Sequence, residues 1–259
     1  MGERTQYTPG TFCWSDLTTT DQSAAKTFYS GLFGWEAEDI PVDENTFYSM
    51  MQLDGKNVAA IAPQPPQQRE AGVPSMWNSY VSVESADATL ERAKELGATV
   101  HAPAFDVMEV GRMGVIQDPQ GAYFMAWQPR GNIGAALVNA PGALVWNELS
   151  SPDLDASSTF YSGLFGWEIT PFEDSPTPYL AIKNGGANNG GMRELSPPGT
   201  PPHWLAYFGV QDIDAALAKV QELGGTKLAG PIDITMAKIA VVQDPQGAVL
   251  ALYAGVLQP

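Results

Sequence analysis

The octapeptide "FYSGLFGW" occupies residues 28–35 and recurs without a change at residues 160–167. Such a repeat signals duplication of the unit around it, and the flanks bear this out. "WSDLTTTDQSAAKTFYSGLFGWE" from Trp14 aligns without a gap with "WNELSSPDLDASSTFYSGLFGWE" from Trp146. Further on, "WNSYVSVESADATLERAKELGAT" from Trp77 matches "WLAYFGVQDIDAALAKVQELGGT" from Trp204, and "QDPQGA" closes both copies at Gln117 and Gln243. The segments keep their order, so the 259-residue chain is a tandem duplication of a unit of roughly 120 to 130 residues, an ordinary domain size. Residues 1–136 are expected to form the first domain and residues 137–259 the second, joined through the segment Gln128 to Ala143.

Inside each copy the hydrophobic period changes in a fixed order. Phe12 to Leu17 reads as a strand, and Asp21 then caps a helix whose Ala25, Phe28, Tyr29, Leu32 and Phe33 fall at helical spacing. Gly34 supplies the left-handed stop. Strand-like runs follow at Thr46 to Leu53 and Asn57 to Ala62, before the loop "PQPPQQREAGVP". A second strand, Trp77 to Val83, then leads into a helix with Ala86, Leu90, Ala93 and Leu96 on one face, matched in copy two by Ile213, Leu217, Val220 and Leu223. Each copy closes on a hairpin turned by "DPQG", whose Asp, Pro and Gly suit a type I turn. Strand, helix and about three strands are thus carried out twice per copy.

Composition narrows the function classes. Thirteen Lys and Arg against 29 Asp and Glu leave a net charge of −16, which argues against nucleic acid or an anionic membrane as partner. The N-terminal stretch "MGERTQYTPG" has no apolar run of signal-peptide length and no later segment approaches the ~18 apolar residues of a membrane span, so a cytoplasmic location is expected. Cys13 is the only cysteine, which rules out an intrachain disulfide and a thiolate-rich metal site; alternation points it away from Trp14, toward the helix.

With "TTDQSAAKTFYSGLFGWE" after the first strand and "DPQGAYFMAWQP" at the last hairpin, the chain resembles the vicinal oxygen chelate superfamily of glyoxalases, bleomycin-resistance proteins and extradiol dioxygenases. The tandem form is similar to actinobacterial glyoxalase-like proteins, among them a mycobacterial culture-filtrate antigen and accessory proteins of aromatic polyketide clusters. The resemblance implies an α+β fold with four βαβββ modules forming two half-open curled sheets. It also implies metal ligands on inner strands in the metal-dependent members, but those positions fall on Trp14 and Trp146, on Asn78 and Leu205, and on Met125 and Ala251. No conventional divalent metal and no other cofactor is therefore expected. An intermodule set of Glu148, His203 and Glu194 is the nearest substitute.

What stands in place of the ligands is aromatic and acidic. Strand alternation puts Phe12, Trp14, Asp16, Asn78, Tyr80, Tyr123, Met125 and Trp127 on the inner face of copy one. Copy two offers Leu144, Trp146, Glu148, Leu205, Tyr207, Val249, Ala251 and Tyr253. The plain reading is a core-filling aromatic face with structurally hydrogen-bonded acids. The functional reading takes Trp14, Asn78, Tyr80, Met125, Trp127, Trp146, His203, Tyr207 and Tyr253 as ligand-binding residues in two cavities for a hydrophobic or aromatic metabolite. That guest would be held for sequestration, detoxification or natural-product tailoring. The alternative is a glyoxalase-like lyase or isomerase, of the methylglyoxal-detoxifying type, in which desolvated Asp16 and Glu148 act as general acid and base. The sequence leaves open whether the protein is an enzyme, and whether it is a monomer or a homodimer.

Overall fold

The computed structural model describes residues 2–173, 177–197 and 199–257. Each copy builds one curled mixed sheet, of nine strands in the first and eight in the second. At the centre of each sheet the opening strands of the two modules pair antiparallel, Phe12–Thr19 with Met76–Ser82 and Leu144–Ser151 with His203–Gly209. The later strands of each module extend outward from that pair. The expected elements are present within a residue or two. Not foreseen were an edge strand at Glu36–Pro41, whose exposed acidic residues hide its alternation, a five-residue helix, Pro66–Glu70, inside the Pro-rich loop, and a short pairing of Gly2–Glu3 with Leu137–Val138.

The octapeptide occupies the end of the helix Gln22–Phe33 in copy one and of Leu154–Phe165 in copy two. Asp21 and Asp153 cap the helix starts through Ala24 N and Ala156 N, and Gly34 and Gly166 close them at φ 74° and 72°. Left-handed backbone of this kind strongly favours glycine. These helices do more than cover their own sheet. Phe28, Tyr29, Phe33 and Trp35 share one buried cluster with Phe208, Leu217, Val220 and Leu250 of copy two. Reciprocally, Phe160, Tyr161 and Trp167 pack with Val81, Leu90, Ile116 and Phe124 of copy one. The convex backs of the two sheets therefore enclose the helices between them.

The polar groups of the octapeptide complete this exchange. Tyr29 donates to Asp244 Oδ2 at 2.9 Å and accepts from Trp77 Nε1 at 3.0 Å. Tyr161 donates to Asp118 Oδ2 at 2.9 Å and accepts from Trp204 Nε1 at 2.9 Å. Both aspartates belong to the opposite copy's "DPQG" turn, where Oδ1 accepts from the turn's own backbone amides. Trp35 Nε1 reaches Gly142 O and Trp167 Nε1 reaches Gly10 O, each at 2.7 Å and again across the copies. A Cβ on Gly31 would lie 3.0 Å from Leu223, so this glycine sets how closely the helix approaches the other copy. The octapeptide is thus a two-way clasp.

One clasp is less complete than the other. Ser157 Oγ reaches Gln120 Oε1 at 3.4 Å, but its counterpart in copy one is Ala25, and the matching Gln246 Oε1 is buried without a hydrogen-bond partner. Ala25→Ser is expected to raise the unfolding free energy by up to about 1 kcal/mol by supplying that donor, read as a higher urea midpoint. Tyr29→Phe removes a donor from Asp244 and an acceptor from Trp77 together, and is expected to lower stability by about 1–3 kcal/mol in the same assay.

Candidate functional site

The concave faces lie on the sides of the sheets away from the clasp. In copy one, Trp14, Tyr80, Trp127 and Met50 form a buried cluster with Met125 packed against it. At its centre, Asp16 Oδ2 accepts from Tyr48 Oη at 3.0 Å and Tyr80 Oη at 2.7 Å, while Oδ1 accepts from Asn78 Nδ2 at 2.8 Å. Trp14 Nε1 in turn donates to Tyr48 Oη at 3.0 Å. Burial pushes the Asp16 carboxyl up from the usual range, against the three hydrogen bonds from Asn78, Tyr80 and Tyr48, which favour its ionised form. Both carboxylate oxygens are engaged.

Copy one's face is also closed. The Trp127 indole donates to Asn132 O at 2.8 Å and lies over Gly111, where a Cβ would sit 2.3 Å from the ring. The connector threads across the same surface, with Ala135 N donating to Cys13 O at 2.8 Å and Tyr7 Oη donating to Ala135 O at 2.7 Å. Cys13 belongs to this concave cluster rather than to the helix side, because a β-bulge between Phe12 and Trp14 breaks the alternation. The same bulge turns Phe12 outward from the concave face, onto Trp167 and Trp204 of copy two. Its counterpart between Leu144 and Trp146 sends Leu144 into the clasp core. Tyr123 lies at the exposed edge, stacked on His101.

Copy two repeats the motif with different substituents. Trp146 Nε1 donates to Tyr179 Oη at 2.8 Å, as Trp14 does to Tyr48. Glu148 takes the place of Asp16, and burial pushes its carboxyl up, while Tyr207, Arg193 and Tyr179 favour the charged form. Asn78, however, is replaced by Leu205, which has no hydrogen to donate. Glu148 Oε1 is consequently buried with no hydrogen-bond partner, and the Arg193 guanidinium stands 3.9 Å from it. Tyr253, in the place of Trp127, is only partly buried, as is Trp146. The apolar face continues outward through Ile239 and Val241 to Ile232 and Ile234 on the edge strand, both exposed. A groove of about 220 Å³ opens beside Arg193, lined by Thr177, Pro178, Glu194 and Ser196.

Sequence reasoning placed Trp14, Asp16, Asn78 and Tyr80 together, and likewise Trp146, Glu148 and Tyr207. It missed Tyr48 and Tyr179, although the segments "YSMMQLDG" and "YLAIKNGG" align at the same tyrosine in both copies. It also weighed Glu194 where Arg193 is the residue beside Glu148. The strand Ala187–Glu194 sets Gly191 opposite Glu148, and a step of two from there gives Arg193. His203 lies at a strand start, with its Nδ1 2.9 Å from Pro201 O.

The donor set does not fit a divalent cation. Both indole nitrogens at the first ligand position carry N–H groups donated to tyrosines, and Leu205 and Ala251 offer no donor atom. Among the described residues, no group of three or more His, Cys, Asp or Glu could hold a metal ion. Nor is any helix among them long and apolar enough to cross a membrane.

The Glyoxalase/Bleomycin resistance protein/Dioxygenase superfamily model matches residues 11–125 and 143–252. The chain belongs to this superfamily. A relative from Mycobacterium tuberculosis (strain CDC 1551 / Oshkosh), named "Putative glyoxylase CFP32", is 44% identical over 255 residues, covering 97% of each chain. The "Anthracycline biosynthesis protein DnrV" of Streptomyces peucetius is 34% identical over 257 residues, covering 94% of this chain and 93% of its own. Among solved superfamily folds, the Mn(II)-bound glyoxalase from Novosphingobium aromaticivorans superposes with a TM-score of 0.66 at 13% identity, over 96% of this chain and 83% of that one. The 2,3-dioxygenase LapB from Pseudomonas sp. KL28 does so with 0.63 at 13% identity, over 96% and 95%. At these identities the likeness is one of fold.

The two acids are expected to respond oppositely to neutralisation. Glu148→Gln removes a buried charge that lacks one partner, and should raise the melting temperature at pH 8. A carboxyl whose folded pKa is raised lends most stability below its unfolded value and loses it as pH rises through the folded value. The gain should therefore shrink as the pH falls toward 4. Asp16→Asn turns an amide N–H toward groups that all donate, and should cost about 1–3 kcal/mol. Thermal melts of both variants across pH would check the contrast.

Proposed function

We propose that the protein binds a small apolar or aromatic molecule on the concave face of copy two, without a metal, while copy one's face serves as closed core. The observation that carries this is the unpartnered Glu148 Oε1. A buried polar atom left unsatisfied costs free energy that a ligand's donor would recover. The half-open surface around it supports the reading, because Trp146, Tyr253, Ile239 and Val241 offer a flat apolar seat. Relatives named for anthracycline biosynthesis are in keeping with a ring-shaped guest, held for sequestration, detoxification or tailoring.

A second reading is catalytic and rests on the same atom. A desolvated carboxylate with a free oxygen is suited to take a proton from a carbon beside a carbonyl and return it elsewhere, as an isomerase or lyase requires. Only Glu148 qualifies, since Asp16 has both oxygens occupied. Steady turnover of a glyoxal that vanishes in Glu148→Gln and persists in Asp16→Asn would favour this reading. Equal loss in both variants would count against it.

Binding is read from intrinsic fluorescence. A panel of one- to three-ring aromatics should include a ligand that quenches the wild-type protein, with the response largely lost in Trp146→Phe and retained in Trp14→Phe. Loss in Trp14→Phe alone would move the site to copy one and overturn the assignment.

A further inference from the structure

The gap between Glu148 and Arg193 has a specific size. At 3.9 Å, Arg193 Nη1 and Glu148 Oε1 are too far apart for a direct hydrogen bond. They are close enough for one oxygen atom to touch both, at about 2.9 Å from the nitrogen and about 2.7 Å from the carboxylate. That oxygen must accept from the guanidinium and donate to the carboxylate.

We propose, building on the binding reading above, that copy two recognises a hydroxyl group on its guest, an aromatic alcohol or phenol whose oxygen bridges Arg193 and Glu148 while its ring rests on Trp146 and the strand residues beyond. The choice of a hydroxyl follows by elimination among simple polar groups. A carboxylate would satisfy Arg193 but repel Glu148. An ammonium would do the reverse, and a carbonyl would leave Glu148 Oε1 as bare as before. A hydroxyl alone among these is donor and acceptor at one atom and adds no charge to a balanced pair.

Copy one shows the same arrangement already filled from within. There Asn78 Nδ2 donates to Asp16 Oδ1 at 2.8 Å. The position of Arg193, two residues beyond the strand partner of the acid, is occupied by Ala62. Copy one has thus replaced the bridging donor by a side chain and has no cation to orient a guest. In copy two the exchange of Asn78 for Leu205 removes that donor from the acid, and Arg193 supplies the second contact.

The test compares 2-naphthol with naphthalene by titration calorimetry on the full chain, using the wild type, Glu148→Gln and Arg193→Met, each checked for fold by near-ultraviolet circular dichroism. In the wild type 2-naphthol should bind at least about tenfold more tightly, as expected when a hydrogen bond to a charged group is added. That preference should fall at least about fivefold in either variant, while affinity for naphthalene stays within about twofold. Equal wild-type affinities, or a preference that survives both substitutions, would overturn the hydroxyl proposal and leave the apolar seat standing. If neither compound binds at its solubility limit, the binding reading falls, and this proposal with it.

Discussion

A tyrosine hydroxyl held between a tryptophan N–H and a carboxylate is the contact on which the arrangement of this protein depends. Tyr29 and Tyr161 are fully buried, and a buried hydroxyl is costly unless its hydrogen-bonding capacity is used. Here the acceptor is the aspartate of the opposite copy's closing turn, and that aspartate also organises the turn's own amides. Helix, sheet and turn of different copies are therefore fixed by one linked set of hydrogen bonds. The surrounding aromatic cluster supplies the apolar burial, while the hydrogen bonds define the register at which the two copies meet.

This division of labour explains why the copies are alike on their backs and unlike on their fronts. Every octapeptide side chain discussed above either contacts the other copy or sets the helix that does, so substitution there disturbs two domains at once. The concave faces have no such mutual constraint. Copy one has filled its face with Trp127 and the connector, and has satisfied both oxygens of its acid. Copy two carries leucine for asparagine and tyrosine for tryptophan, and so keeps an unsatisfied carboxylate oxygen beside a partly open aromatic wall. One concave face is thus closed and the other partly open.

Much of this was legible in the residues. Period and capping located the helices within a residue or two, and the repeat located the modules. Alternation placed Trp14, Asp16 and Tyr80 on one face because the strand runs regularly after Trp14. It misplaced Phe12, Leu144 and Cys13 because a bulge shifts the count by one, and no residue type announces that bulge. Tyr48 and Tyr179 went unnoticed because their strands lie outside the best-matching blocks. Partner choice was harder still. That the octapeptide packs across copies depends on long-range pairing, which local pattern does not encode, and that Arg193 rather than Glu194 faces Glu148 depends on strand register.

The reach of the clasp has a consequence for how the chain is made. Tyr29 and Asp244 are 215 residues apart in sequence, so the first helix emerges from the ribosome long before its partner exists. Contacts of such separation form late and slowly. The N-terminal half must wait with part of its aromatic face uncovered until almost the whole polypeptide has been synthesised. Its strong negative charge is one means of keeping such waiting chains apart.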